Sequence, residues 1–207
     1  MLENFNPNIL NINPLIAVVD DFLSASECDA LITLAQGRLR RATVHNANSD
    51  GAVSQNRTNA HCSAPPGEFP QVIPLLMKLG MLLRIPMHHA EGPMLLHYTQ
   101  AQEFKPHADG IMLDSNPERI ERFQRAGGQR LFSTLAYLND VEEGGGTGFP
   151  ELGVSVAPKQ GRLLIFANTM AGSRDMANLS IHAGEPVTAG EKWAAIAWWR
   201  ENPVSEG

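Results

Sequence analysis

His107 and Asp109 stand two residues apart in Lys105-Pro-His-Ala-Asp109. On an extended chain, residues at this spacing leave the same face, so an imidazole and a carboxylate can converge there on one ion. A His-x-Asp pair alone is common in surface turns and ion pairs, and a metal site needs a third donor. His182 supplies it, at the end of the short strand-like run in Leu179-Ser-Ile-His-Ala-Gly184. Two imidazoles and one carboxylate cover one face of an octahedral ion and leave positions open for a chelating 2-oxo acid and for O2. The same donors also suit Zn(II) in a hydrolytic site.

Lys192 separates these chemistries. It opens an apolar run, Gly190-Glu-Lys-Trp193 followed by Ala194-Ala-Ile-Ala-Trp-Trp199, ten residues beyond His182. A buried ammonium is costly unless paired, so a lysine that starts a core strand implies an anionic partner. The distal carboxylate of 2-oxoglutarate would fill that role, whereas hydrolysis has no evident need for it. By the period of two, Lys192 shares its face with Ala194, Ile196 and Trp198.

Short apolar runs must hold these residues in place. Pro93–Tyr98, Arg130–Leu138, Arg162–Phe166 and Trp193–Trp199 are separated by Gly- and Pro-rich turns, which predicts a β-sandwich or barrel. Upstream, Leu15–Val19 reads as a buried strand. Ser24-Ala-Ser-Glu27 is a capping box, followed by Cys28, Leu31, Ile32 and Ala35 at helical spacing. A second scaffold helix is expected over Val72–Leu83, and a helical insertion over Asn116–Arg125, with Pro117 in its first turn. The polar stretch from Val44 to Ala60 reads as a long loop, either a lid or a solvated excursion.

Composition bounds the rest. At 207 residues the chain suits one domain with its own core. A formal charge of -6 argues against nucleic acid as a partner. No apolar run approaches the roughly 20 residues needed to span a bilayer, and the N-terminus lacks the basic and apolar regions of a signal peptide. With only Cys28 and Cys62 and no zinc spacing, reduced thiols and a cytoplasmic setting are expected, with no membrane.

From about Leu95 to Arg200 the chain resembles the prolyl 4-hydroxylase family of Fe(II)/2-oxoglutarate-dependent dioxygenases. The blocks that carry the resemblance are Tyr98 through Asp109, Gly127-Gly-Gln-Arg130 through Asn139, Gly144-Gly-Gly-Thr-Gly-Phe-Pro150, and His182 through Val187 on to Lys192-Trp193, in that order. The resemblance implies that His107, Asp109 and His182 ligate Fe(II) and that Lys192 binds the far carboxylate of 2-oxoglutarate. Tyr98, Thr147 and Trp198 are implied as further contacts to the co-substrate. Arg130 resembles an arginine that faces the substrate, and Arg57 falls in the place of the substrate-covering loop.

The implied fold class is α+β, mainly β: a double-stranded β-helix, or distorted jelly roll, with flanking N-terminal helices. Residues 1–207 would form one dioxygenase domain, with 1–92 as mainly helical support and polar loop and 93–202 as the jelly-roll core. The implied reaction hydroxylates C4 of a prolyl residue in a peptide or protein, consumes O2, releases succinate and CO2, and uses ascorbate as reductant. Hydroxylation of a small free molecule such as an amino acid is the alternative within the class, and a non-catalytic jelly-roll binding module the alternative outside it. Phe104 stands where the family usually has tyrosine, Arg200 where some members have histidine, and Glu185 where cysteine is frequent. With the Pro117 insertion, these departures, Glu185 excepted, lie on the substrate side.

Overall fold

The computed structural model describes residues 5–46, 49–53, 55–112 and 116–204, with the backbone alone for 43–46 and 49–53. Its large sheet is antiparallel throughout. The strand order is β1 (Asn8–Asn11), β2 (Ile16–Val19), β13 (Leu163–Ala167), β9 (Arg130–Tyr137), β16 (Lys192–Arg200), β7 (Met94–Tyr98), β6 (Ala60–Ser63) and β3 (Arg40–Arg41). A smaller sheet has the order β12 (Val154–Val156), β11 (Thr147–Phe149), β14 (His182–Gly184) and β8 (Phe104–His107). β10 (Glu143–Gly144) pairs with β15 (Val187–Ala189), and β4 (Thr43–Asn46) with β5 (Ser49–Val53). This mainly antiparallel architecture is the expected jelly roll with flanking helices.

The central strands of the large sheet are buried on both faces, and their alternation sorts two cores. Along β16, Trp193, Ala195, Ala197 and Trp199 join Leu163, Ile165, Ala136 and Leu138 on the outer face. There they meet α1 (Ala25–Ala35) and α2 (Ile73–Leu83) through Cys28, Leu31, Leu75, Leu76 and Leu79. The expected capping box is formed at α1: Ser24 accepts from the Glu27 N–H, and the Glu27 carboxylate accepts from the Ser24 N–H at 2.7 Å. The inner face carries Leu164, Phe166, Leu135, Tyr137, Leu96, Tyr98, Ala194, Ile196 and Trp198, packed against Phe149 and Val156 of the smaller sheet. Lys192 therefore shares the inner face with Ala194, Ile196 and Trp198, as the period of two requires.

One expectation is revised. The stretch from Val44 to Ala60 is not a plain loop: β4 and β5 pair with Thr43 opposite Val53, and β6 joins the large sheet. The β-branched residues at both ends of this polar text favour extended backbone, while Asp50-Gly51 reads as a turn signal and hid the pairing. The part of that stretch at residues 47, 48 and 54 lies outside the described residues. Residues 1–92 carry, beside α1 and α2, the strands β1, β2, β3 and β6 of the large sheet. β2 is the buried strand that Leu15–Val19 announced; β1, β3 and β6 are short and partly exposed, so they lack the apolar runs that reveal buried strands. The helical insertion is present as α3 (Pro117–Arg125), capped by the Asn116 side chain.

Gly80 of α2 lets the helix approach Trp199. A Cβ there would lie 2.8 Å from the Ile85 carbonyl oxygen and 3.3 Å from the Trp199 ring. Glycine to alanine in an exposed helix gains about 1 kcal/mol. At this contact the sign reverses. Gly80→Ala is expected to lower the unfolding free energy by about 1–3 kcal/mol through overpacking, read as a lower urea midpoint at unchanged slope.

Candidate active site

β8 and β14 run antiparallel with His107 directly opposite His182, so their imidazoles lie side by side, ring centroids 4.3 Å apart. β8 tolerates Pro106, which lacks an N–H, because its pairing with β14 shifts register between Phe104 and His107. Just past β8, Asp109 turns its carboxylate between the rings. Oδ1 lies 3.7 Å from His107 Nε2, and Oδ2 lies 3.6 Å from His182 Nε2. One donor atom from each residue lies within 4.8 Å of the others.

The backbone selects the tautomers. His107 Nδ1 is 2.9 Å from the Lys105 carbonyl oxygen, and His182 Nδ1 is 3.0 Å from that of Ser180. A carbonyl only accepts, so Nδ1 carries the proton and donates, and each Nε2 keeps a lone pair for a metal. Burial, reinforced by His182, holds the His107 pKa down to about 4. Burial pushes the Asp109 carboxyl up, but His182, His107, Arg130 and a hydrogen bond from Ser133 outweigh it and bring the pKa to about 2. The site thus presents a neutral His107 beside an ionised carboxylate.

Lys192 opens β16 opposite Tyr98, the last residue of β7. Its ammonium lies 5.1 Å from the centre of the Tyr98 ring and 5.2 Å from that of Tyr137. The residue is 2% exposed. Among the described residues no carboxylate pairs with it, and burial pushes its pKa down to about 7 despite the more distant Glu185. Tyr137 donates its hydroxyl proton to the Val156 carbonyl at 3.0 Å and accepts from the Thr147 hydroxyl at 2.7 Å, and so ties the large sheet to the smaller one.

One cavity joins the two centres. His107, Asp109, His182 and Lys192 line it together with Tyr98, Thr147, Trp198 and Arg57. Arg57 places its guanidinium 4.8 Å from the Phe104 ring, which in turn stacks on His107 at 3.5 Å and 16°. Arg130 is not part of that lining. Its Nε and Nη2 grip the Glu91 carboxylate at 2.6 and 2.7 Å, and its Cζ lies 4.1 Å from the Trp198 ring centre.

Two imidazoles and a carboxylate on adjoining strand ends, with a buried unpaired cation in the same cavity, define a non-haem metal oxygenase of the 2-oxo-acid-dependent class. Comparison with known proteins agrees. Residues 93–200 match the family described as the 2OG-Fe(II) oxygenase superfamily. Prolyl 4-hydroxylase 1 of Arabidopsis thaliana is 32% identical over 99% of this chain and 75% of that protein. Prolyl 4-hydroxylase 5 of the same plant is 30% identical over 92% of this chain and 70% of that protein. Among solved structures, a viral collagen prolyl hydroxylase from Paramecium bursaria Chlorella virus-1, solved as a 2OG complex, superposes with a TM-score of 0.68 at 27% identity. That match covers 88% of this chain and 94% of the viral one. The chain belongs to the 2OG-Fe(II) oxygenase superfamily and, within it, to the prolyl 4-hydroxylase family.

The residues present fit Fe(II) and 2-oxoglutarate. Both Nε2 atoms are free to ligate, Asp109 is ionised, and Lys192 and Trp198 line the cavity, where among the described residues the ammonium has no carboxylate partner and the buried indole N–H no acceptor. Sequence reasoning did not single out Tyr137, Ser133, Asn168 or Glu91. For Ser133 and Tyr137 a signal existed: they share one face of β9 by the period of two, and a polar residue inside a buried strand must find a partner. Asn168 and Glu91 meet the site only through tertiary contact.

The unpaired ammonium burdens the ligand-free fold. With a native pKa of about 7 against an ordinary value of 10.5, the unfolded chain holds more protons between those values. Stability therefore rises with pH across that window, and the penalty is fully present below pH 7. Ligand-free Lys192→Met is expected to melt higher than wild type at pH 7, by several degrees. The difference should shrink as pH is raised toward 10.5; equal melting at pH 7 would contradict the burial cost.

Proposed function

We propose that this chain is the Fe(II)- and 2-oxoglutarate-dependent hydroxylase of prolyl residues, at C4, in a peptide or protein, and that residues 1–207 form one dioxygenase domain. The observation that carries the reading is the buried, unpaired Lys192 in the cavity that also holds His107, Asp109 and His182. The names of the relatives support the substrate class: the viral neighbour is a collagen prolyl hydroxylase and the plant relatives are prolyl 4-hydroxylases.

In this reading His107, Asp109 and His182 hold the iron, and Lys192 receives the distal carboxylate of 2-oxoglutarate. Bound Fe(II), with 2-oxoglutarate and O2, supplies the oxidant that hydroxylates a C–H bond and leaves succinate and CO2. The chain's own part is to bind, orient and exclude water. Thr147, hydrogen-bonded to Tyr137, and Tyr98 line the cavity together with the ammonium, so the dianion would exchange water for fixed polar groups. Trp198 and Ile196 wall the cavity, and Leu96 and Leu135 keep it apolar. Phe104 clamps the His107 ring from one side and is itself covered by the Arg57 guanidinium.

Arg130 and Arg57 are assigned to the substrate side. Arg130 is held against Trp198 by Glu91, so it presents a fixed edge rather than a mobile charge. Arg57 belongs to a segment bound to β8: the Lys105 N–H donates to the Asn56 carbonyl at 2.8 Å and the Thr58 N–H to that of Glu103 at 2.9 Å. Ascorbate as reductant belongs to the same proposal. Among the described residues no helix is long and apolar enough to cross a membrane; the free thiols of Cys28 and Cys62 support a cytoplasmic setting.

Succinate release and mass spectrometry test the assignment together. Wild type with Fe(II), 2-oxoglutarate and O2 is expected to add one oxygen to proline-containing peptides. His107→Ala should abolish this. Lys192→Ala should raise the 2-oxoglutarate requirement about a hundredfold, the scale of losing one partner of a buried charge pair. Oxygen added only to free amino acids would replace the peptide reading with the small-molecule one, and no 2-oxoglutarate turnover at all would favour a binding module.

A further inference from the structure

Behind the Asp109 carboxylate lie two polar side chains to which the proposed reaction gives no role. Ser133, on β9, is fully buried, and its Oγ lies 2.7 Å from Asp109 Oδ2. An ionised carboxylate only accepts, so the serine hydroxyl donates to it. That hydroxyl has one proton, and its remaining partner must therefore be a donor. Asn168 provides one, with Nδ2 2.9 Å from Ser133 Oγ. The hydrogen bonds run in one direction, from the Asn168 amide to the Ser133 hydroxyl to Asp109 Oδ2.

The far end of this relay is anchored. The Asn168 backbone N–H donates to the Leu131 carbonyl at 2.8 Å, and its carbonyl accepts from the Ala177 N–H at 3.0 Å. Asn168 and Asp109 are 1% and 6% exposed, so water competes little for these bonds. Gly110 presses the metal-site segment onto the same support: a Cβ there would lie 3.1 Å from the Asn168 carbonyl oxygen. Ser133 stands in line with Leu135 and Tyr137 on the inner face, where an apolar side chain would pack without a desolvation cost. A hydroxyl in that place has a use beyond filling space.

We propose that Ser133, oriented by Asn168, is a positioning residue that occupies Oδ2 of Asp109 and leaves Oδ1 to ligate the metal. The inference rests on the Fe(II)/2-oxoglutarate reading above. Its chemical consequence is a count of coordination positions. Two imidazoles and one carboxylate oxygen leave three positions of an octahedron, enough for a chelating 2-oxo acid and O2; a carboxylate that ligates through both oxygens leaves only two. Holding Oδ2 in a hydrogen bond keeps the third position open.

Co(II) is the probe, because its d–d absorption reports coordination number without turnover. It is titrated into metal-free wild type, Ser133→Ala, Ser133→Thr, Asn168→Ala and His107→Ala, each checked for folding by circular-dichroism melting. Ser133→Ala is expected to lose about 10–100-fold in Co(II) affinity, the usual scale for a residue that orients a ligand, and to change the d–d bands. Asn168→Ala should shift both in the same direction by less, and Ser133→Thr, which keeps the hydroxyl, should restore the wild-type spectrum. Wild-type affinity and bands in Ser133→Ala would overturn the inference while loss of Co(II) in His107→Ala left the metal reading standing. Equal losses in Ser133→Ala and Ser133→Thr would also overturn it, since packing alone explains them. If Ser133→Ala does not fold, Asn168→Ala decides by the same readout. Failure of wild type itself to take up Co(II) would remove the metal reading and this inference with it.

Discussion

The ammonium of Lys192 lies in the core between two tyrosine rings, and among the described residues no carboxylate is beside it. A charge in that position disfavours the ligand-free fold, so the surrounding structure has to hold it with margin to spare. The margin comes from the outer face of the same strand. Trp193 and Trp199 bury their rings against the helical layer, and β16 pairs along its length with β9 on one side and β7 on the other. The two faces of β16 thus differ in what they contribute. One supplies apolar burial, and the other carries groups that lower stability and that, in the proposed function, bind a dianion. These contributions sit one residue apart along the chain because side chains alternate across a strand.

The same alternation explains why so much of the candidate site is legible in the sequence. Lys192 is conspicuous as a cation opening an apolar run, and His107 and Asp109 as a donor pair on one face of extended chain. What places them in one cavity is not local. His107 meets His182 through the pairing of β8 with β14, two strands of four and three residues. Such short, polar strands carry no periodic signal, and only the family resemblance implies the smaller sheet. Tyr137 is hidden for the opposite reason, since an aromatic in a buried strand reads as ordinary core until the partner of its hydroxyl, Thr147 on the opposing sheet, is known. In the N-terminal region the capped helix α1 is readable from its own residues, while β4 and β5 are masked by the polar text between them.

The metal side is built for rigidity from groups that cost little. Each imidazole is oriented by a carbonyl two residues before it, so the chain that delivers the ligand also fixes its tautomer. Phe104 then stacks flat on His107 and restrains the ring about its remaining torsion. A tyrosine at that place would add a hydroxyl to the ring; phenylalanine keeps the stacking on His107 and leaves the ring wholly apolar under the Arg57 guanidinium.

The side proposed to face the substrate is arranged around a different hub. Glu91 is shared: Arg130 takes both carboxylate oxygens, and Arg200 Nε lies 2.6 Å from the same Oε1 that Arg130 Nε contacts. Arg200 also donates to the Gly128 carbonyl at 2.6 Å, which ties the end of β16 to the turn that precedes β9. Two guanidiniums on one carboxylate leave a net positive charge beside Trp198; Arg130 is fixed by its two-bond contact, while Arg200 Nε meets Glu91 as a close ion pair without a hydrogen bond. An imidazole in place of Arg200 would be shorter and, when neutral, would remove that excess charge. The position where this chain departs from some family members is therefore one that sets the field around Arg130 and Trp198 without lining the cavity of His107, Asp109, His182 and Lys192.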